Sequence, residues 1–156
     1  GLNRVEFLIS TNTGEPLKPL SKIASGGEMS RIMLAIKTIL ADVDEIPVLI
    51  FDEIDNGISG KVSQRVGEKL SFLSRSHQVI CVTHLAQIAC MADEHFLIQK
   101  VSAKDSTKTL VTRLSGKQIS DEIARILGGA TISDITIKHA EEMLNAAEEI
   151  KGRINQ

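Results

Sequence analysis

A short apolar run that ends in two acidic residues constrains the fold of this chain most strongly. The run is Val48-Leu49-Ile50-Phe51, and Asp52 and Glu53, here called the acidic pair, follow it directly. Such a run is typical of a central strand in a parallel sheet that is covered on both faces. Open α/β sheets bind their ligands beyond the carboxyl ends of these strands. The run therefore predicts that the acidic pair lies at a binding edge.

A second strand of the same kind follows after a helix. The segment from Val62 to about Arg75 has apolar residues on one helical face, and Gln78 to Thr83 is again a buried strand that ends in polar residues, Thr83 and His84. Strand, helix and strand in this order predict a βαβ unit, in which the two strands are parallel.

Ser25, Gly26 and Gly27, here called the glycine turn, open a helix upstream of the acidic pair. Apolar residues recur at steps of three and four from Met29 to Leu40, and the segment Asp42 to Pro47 ends this helix. A turn of this composition directs backbone N–H groups and the positive end of a helix at a phosphate. It is also an ordinary N-cap, so both interpretations stay open.

The remaining segments complete an α/β domain. We predict a mostly parallel sheet flanked by helices, with a helical C-terminal tail. The other predicted elements are a strand at Val5–Ser10, a surface loop at Asn12–Pro19, a short helix at Leu85–Met91, strands at Glu94–Val101 and Thr107–Leu114 that form an edge hairpin, and helices at Ser120–Leu127 and Ile132–Ile154, the second capped by Ser133.

Composition narrows the classes of function. The 156 residues, 42% of them hydrophobic, suffice for one globular domain. The absence of Trp and Tyr, with only four Phe, argues against an aromatic surface for stacking nucleic-acid bases. A net charge of −2 gives no overall basic footprint, so any contact with DNA would be local or lie outside this chain.

Two cysteines and the absence of a long apolar run predict a reducing, cytoplasmic location. Cys81 and Cys90 do not form a disulfide framework. With His84 they are conceivable zinc ligands, but a fourth ligand and the usual paired spacing are missing. No signal peptide or membrane-spanning run is present in this sequence.

The acidic pair is the strongest local chemical signal. The first carboxylate, Asp52, is suited to hold Mg²⁺ through water, and the second, Glu53, to orient or deprotonate an attacking water. A solvated strand end is the alternative interpretation. The order of the signals favours chemistry, because the glycine turn, the acidic pair and His84 follow one another at the ends of successive elements.

At these positions the chain resembles the ABC-type ATPase heads of the SMC and Rad50 group. The glycine turn with Glu28 resembles their signature motif, Val48–Glu53 their Walker B, Asp55–Gly60 their D-loop and His84 their switch histidine. The details resemble the RecN family of bacterial DNA repair proteins over nearly the whole chain. The segments that carry this resemblance are Arg4–Phe7, Ala24–Ala35, Phe51–Asp55, Gly57–Gly60, Val82–Leu85 with Gln87, and Ile123–Gly129.

The resemblance implies a nucleotide site shared by two heads. ATP and Mg²⁺ are the implied cofactors, with Asp52 at the metal, Glu53 as general base and His84 as a sensor of the γ-phosphate. The glycine turn, Glu28 and Ser59 would contact nucleotide, and a second head would close on the same ATP. Implied partners are that head, the P-loop half of the chain's own head, and DNA through the full-length protein at the nucleoid.

Several features depart from the pattern of such a head. A P-loop needs four residues between Gly and Gly-Lys-Ser/Thr, and the nearest match, Gly57–Ser63, has two. We therefore expect residues 1–156 to be the C-terminal part of an ATPase head, without its P-loop half and coiled coil, and to be inactive alone. Within the motifs, Ala86 replaces a common proline, and Asn56 occupies a position that is usually apolar or small.

Two other functions remain open from the sequence. The chain could be a non-catalytic module for dimerisation or partner docking. It could also belong to an unrelated α/β phosphate-binding enzyme, in which the glycine turn holds a substrate phosphate within one chain.

Overall fold

The computed structural model describes residues 2–10, 13–22, 25–103, 106–129 and 131–154. Strands and helices alternate through the middle of the chain, and helices follow the last strand. The elements are β1 (Leu8–Ile9), β2 (Lys18–Pro19), a 3₁₀ turn (Leu20–Lys22), α1 (Gly26–Leu40), β3 (Val48–Phe51), α2 (Gly60–Leu73), β4 (Gln78–Cys81), α3 (Ala86–Ala89), β5 (His95–Ala103), β6 (Ser106–Leu114), α4 (Lys117–Gly128) and α5 (Asp134–Ile154).

The predicted βαβ unit is confirmed by the pairing of β3 with β4. The two strands are parallel and in register, so that Leu49 lies beside Val79 and Phe51 beside Cys81. The crossover between them is α2. This connection places the polar residues that follow both strands at one edge of the sheet, and it confirms the α/β class of the fold.

The expectation that β3 is covered on both faces is wrong for the described part of the chain. Leu49 and Phe51 are buried, but Ile50 is 70% exposed, and its neighbour Ile80 on β4 is 45% exposed. Side chains alternate between the two faces of a strand, and α1 and α2 supply apolar partners for one face only. One apolar face of the parallel sheet is therefore open among the described residues.

Two hydrophobic clusters hold the helices together. The first joins α1, β3, α2 and α3, and it contains Leu34, Phe51, Ile54, Leu70 and Leu73 among its buried residues. The second joins α3, α4 and α5 around Ile123, Ala124 and Ala140. Because α3 contributes to both clusters, the helical tail is connected to the layer that carries the acidic pair.

The other two sheets are antiparallel pairs. Residue pairing joins β1 to β2 over two residues, and β5 to β6 over nine. The first strand is shorter than the predicted Val5–Ser10, because only Lys18 and Pro19 pair with it. These two residues form β2, although the sequence predicted a surface loop at Asn12–Pro19. The predicted hairpin of β5 and β6 is confirmed, while residues 104 and 105, which join its strands, lie outside the described residues.

The two helices of the C-terminal tail lie close to the bounds that the sequence predicts. Thr136 N donates to Ser133 Oγ at 3.2 Å, and Ser133 N donates to Thr136 Oγ1 at 2.8 Å, so Ser133 caps α5 as predicted. The other helix, α4, begins three residues earlier than predicted, at Lys117. Within the described residues, none of the helices combines the length and the apolar character that crossing a membrane requires.

Candidate functional site

The glycine turn forms the start of α1. Ser25 is the N-cap, with extended backbone, and its Oγ accepts a hydrogen bond from Glu28 N at 3.1 Å. The first N–H groups of a helix have no partner within the helix. Since Ser25 satisfies Glu28 N and its carbonyl accepts from Met29 N, the N–H groups of Gly26 and Gly27 remain for an anion. Ala24, the first residue of the motif, lies outside the described residues.

The start of α1 lies directly against the segment that follows β3. A Cβ atom placed on Gly27 would lie 2.9 Å from Asn56 O, Asn56 Cβ and Glu53 O. Carbon atoms do not approach backbone atoms this closely without displacement. Glycine is therefore required at position 27 by the close approach of two backbone segments, as well as for any contact with phosphate.

Two side chains of α1 fasten the helix to the same segment. Ser30 Oγ donates to Asp52 O at 2.8 Å, and one nitrogen of Arg31, Nη1, donates to Ile54 O at 3.1 Å and to Asn56 O at 2.8 Å. The sequence does not predict these two contacts. The one feature that could have indicated them is the position of both residues on the second turn of α1, directly after the glycine turn.

The acidic pair has an unusual backbone. Asp52 Oδ1 accepts from Glu53 N at 2.9 Å, and Glu53 has a φ of +56°. Non-glycine residues in this left-handed region cost about 1 to 3 kcal/mol and are concentrated at functional sites. The carboxylate of Glu53 lies over Gly26, where an added Cβ would collide with Glu53 Oε2. The structure therefore brings the acidic pair and the glycine turn together within one chain.

The ring of His84 contacts the buried carboxylate of Asp55 and not the acidic pair. Its Nδ1 is 2.9 Å from Oδ2 of Asp55, and the same oxygen accepts hydrogen bonds from His84 N at 2.8 Å and from Thr83 Oγ1 at 2.6 Å. Asp55 is 3% exposed. From the sequence, Asp55 is named only as the first residue of a segment that resembles a D-loop. Its burial was not predicted, because the sequence of a turn does not show whether an acidic residue in it is buried or exposed.

Ser59 lies at the N-cap of α2. Its backbone is extended and its hydroxyl makes no capping hydrogen bond. The hydroxyl that bonds within the first turn belongs to Ser63, whose Oγ donates to Gly60 O at 2.7 Å. Ser59 therefore has a hydroxyl that is not used for capping, and its contact with nucleotide stays a prediction.

The cysteines lie in apolar surroundings. Burial raises the pKa of the Cys81 thiol to about 12, with the charges of Asp55 and Asp52 acting in the same direction, and burial raises the pKa of Cys90 to about 11. Among the described residues, no group of three or more His, Cys, Asp or Glu side chains is arranged to hold a metal ion. Both thiols are therefore protonated at neutral pH.

We expect slow modification of both cysteines in the folded chain. The thiolate is the reactive form, so at pH 8 a disulfide reagent such as DTNB should react at least about 100-fold more slowly than after unfolding in guanidinium. The folded-state rate should rise with pH, because raising the pH towards 12 increases the thiolate fraction of Cys81. Rapid labelling of the folded chain at pH 8 would show that these thiols are not buried as described.

The chain is similar in sequence to bacterial DNA repair proteins. It is 49% identical over 151 residues to the DNA repair protein RecN of Bacillus subtilis (strain 168), which covers 97% of this chain and 26% of that protein. To the DNA repair protein RecN of Treponema pallidum (strain Nichols) it is 51% identical over 146 residues, 94% of this chain and 26% of that protein. No family model matches the chain.

One solved structure resembles the described fold at a low level. It comes from work entitled "Structural biochemistry of ATP-driven dimerization and DNA stimulated activation of SMC ATPases", and it aligns with a TM-score of 0.48 and 24% identity over 73% of this chain and 68% of that chain. The curated relatives give the firmer result, although the chain spans only about a quarter of their length. About half of its residues are identical to these relatives along nearly its whole length, so the chain belongs to the RecN family.

Proposed function

We propose that this chain is the C-terminal part of an ATPase head in a DNA repair protein. In this proposal it supplies the signature motif, Walker B, D-loop and switch histidine, while the P-loop half comes from another part of the same polypeptide. The observation that carries the proposal is the place of the acidic pair and His84, which follow two neighbouring parallel strands at one edge of the sheet, where open α/β sheets bind their ligands. The whole protein would hydrolyse ATP.

The described residues are suited to bind phosphate. The N–H groups of Gly26 and Gly27 lie at the positive end of a 15-residue helix. The carboxylate of Glu53 lies over Gly26 in this structure, so a phosphate that binds these N–H groups would displace it. We infer that the γ-phosphate of ATP binds at the glycine turn, with Ser25 and Glu28 at its border.

Asp52 is suited to hold Mg²⁺ through water. Its Oδ1 accepts from Glu53 N, and its other carboxylate oxygen makes no hydrogen bond within the described part of the chain. When bound, Mg²⁺ would neutralise charge on the phosphates. Glu53 would accept the proton of the attacking water, and His84 would contact the γ-phosphate, both acting by position and charge.

The open sheet face supports a missing half of the head. Val48, Ile50, Ile80 and Val82 are between 40% and 70% exposed, although they continue the apolar strands. Apolar groups of this size are ordinarily buried in a complete domain, and a strand edge without a partner is prone to association. We propose that the P-loop half packs on this face. The chain alone should bind ATP weakly and hydrolyse none, because the P-loop lysine would come from that half.

Two heads would close on two ATP molecules in the complete protein. Each ATP would contact the P-loop, the acidic pair and His84 of one head and the glycine turn of the other. DNA would be bound elsewhere in the full-length protein, since the chain itself carries a net charge of −2. A protein that acts on chromosomal DNA would be located at the nucleoid in the cytoplasm.

Mixing two inactive variants of the full-length protein tests this arrangement. Ser25→Arg removes the glycine-turn contact, and Glu53→Gln removes the base, so each variant alone should have almost no turnover. If the two residues act on one ATP from opposite heads, half of the dimers in an equal mixture are mixed dimers, and each of these contains one intact site and one inactive site. The mixture should then recover about a quarter of the wild-type turnover, as symmetric pairing requires.

The opposite result has an equally clear meaning. A mixture that remains inactive, although both variants fold and exchange subunits, would place Ser25 and Glu53 in one site of one chain. A wild-type protein that hydrolyses nothing, while this chain self-associates without nucleotide, would instead support a docking module.

A further inference from the structure

We propose that Asp55 is a positioning residue for His84, which fixes the orientation of its ring and the protonation of Nδ1 so that Nε2 is presented to the nucleotide. The contact of Nε2 with nucleotide rests on the proposed function. The contact between Asp55 and His84 does not depend on it. It assigns Asp55 a role through His84 rather than a direct contact with substrate.

The side chain of Asp55 is buried. Its side chain is 4% exposed, yet it carries a carboxylate, which is unfavourable to bury without partners. The partners are two donors on one oxygen, Thr83 Oγ1 at 2.6 Å and His84 N at 2.8 Å. A carboxylate held by such charge-assisted hydrogen bonds has one fixed orientation.

The carboxylate of Asp55 lies close to the imidazole ring of His84. Nδ1 of His84 lies 2.9 Å from Oδ2 of Asp55. An ionised carboxylate only accepts hydrogen bonds, so it favours the form of the ring in which the facing nitrogen, Nδ1, carries the proton. In neutral imidazole the other nitrogen, Nε2, is then an acceptor, and in the charged ring it is a second donor.

The His84 side chain is largely exposed. The His84 side chain is 69% exposed, whereas its partner Asp55 is almost fully covered. Nε2 makes no hydrogen bond within the described residues. Asp55 therefore holds one edge of the ring and leaves the other edge available to a phosphate oxygen or to the attacking water.

Asp55 connects two turns of the fold. It belongs to the turn after β3, where Asn56 N donates to Glu53 O at 3.0 Å and Ile58 N to Asp55 O at 3.4 Å. Thr83 and His84 follow β4. The carboxylate thus joins the turns at the ends of two neighbouring parallel strands, so the position of His84 depends on the segment that also carries Glu53.

The first test reads the ring directly, without ATP. In the chain labelled with ¹⁵N-histidine, long-range ¹⁵N–¹H spectra at a pH where the ring is neutral should show His84 protonated at Nδ1, with the signal assigned by its loss in His84→Ala. In Asp55→Ala the ring loses the acceptor that faces Nδ1, so it should convert to the Nε2–H form, which the imidazole of free neutral histidine favours. A wild-type ring protonated at Nε2 would overturn the proposal.

The second test is a double-mutant cycle in the full-length protein. Asp55→Ala should lower kcat about tenfold or more, as expected for the removal of a residue that orients a functional histidine, with little change in KM for ATP. In a His84→Ala background the same substitution should have almost no further effect on kcat. The matched control is Asp44→Asn, whose carboxylate pairs with Lys37, and it should leave kcat unchanged.

The outcomes separate this proposal from the proposed function. Full and independent losses of kcat in the two backgrounds would show that Asp55 acts without His84, and would overturn the proposal while ATP hydrolysis stands. If the wild-type protein hydrolyses no ATP, the proposed function fails, and the ring spectra still decide whether Asp55 fixes His84.

Discussion

Replacing Glu53 by Gln should lower ATP turnover of the full-length protein at least about 100-fold while ATP binding is retained. The amide has nearly the shape of the carboxylate, so it can keep the position over Gly26, but it cannot accept the proton of the attacking water. Turnover should be measured as phosphate release, and binding as the retention of ATP by the purified protein. We also expect the variant to accumulate as an ATP-bound dimer, because in the proposed cycle the heads would separate only after hydrolysis.

The control for this substitution is the same chemical change at a remote position. Glu149 is exposed on α5, and Glu149→Gln should leave phosphate release unaltered. Unchanged turnover in Glu53→Gln would remove Glu53 from the role of general base. A loss of ATP binding in that variant would instead show that the carboxylate is needed to build the site.

The second large effect is expected at Gly27. An alanine there would place its Cβ 2.9 Å from two backbone carbonyl oxygens, those of Glu53 and Asn56, which belong to a turn that is fastened to α1 by Arg31. Since these atoms cannot rotate away as a side chain can, the helix start must move. We expect Gly27→Ala to destabilise the chain by about 1 to 3 kcal/mol, the usual cost of overpacking, and to abolish ATP-dependent association of heads.

A second glycine provides the matched control. A Cβ on Gly152 of α5 would meet no atom within 4 Å, and the residue is helical. Gly152→Ala should therefore stabilise the chain by up to about 1 kcal/mol, because alanine is the better helix former. The comparison is made by urea denaturation monitored by circular dichroism. If Gly27→Ala raises the urea midpoint as Gly152→Ala does, the close approach of α1 to the turn after β3 is wrong.

Local signals predicted the elements that carry the site. The apolar run Val48–Phe51 is β3, the segment Gln78–Thr83 contains β4, and their parallel pairing followed from the helix between them. Ser25 caps α1, which is one of the two roles that the sequence left open for the glycine turn. Each of these features depends on residues that are close in sequence, and the periodic pattern of apolar residues is sufficient to locate them.

Contacts between distant segments were not predictable. Arg31 donates to two carbonyl groups more than twenty residues away, and Asp55 accepts from Thr83 and His84 at a separation of nearly thirty. Backbone carbonyl groups have no sequence signature, and an acid in a turn looks solvated until the fold covers it. The exposure of Ile50 was missed for a related reason, because a continuous apolar run does not reveal which of its faces this chain covers itself.

The central claim is that this chain contributes the acidic pair to one ATP site and the glycine turn to a second one, without the P-loop lysine that either site needs. The most direct measurement is phosphate release by the chain alone and by the full-length protein that contains it, at equal concentrations of head and saturating Mg²⁺ and ATP. The account predicts no release above background from the chain alone, and sustained release from the full-length protein. Equal release per head from the two proteins, sensitive to Glu53→Gln in both, would contradict it, because the chain would then be a complete enzyme.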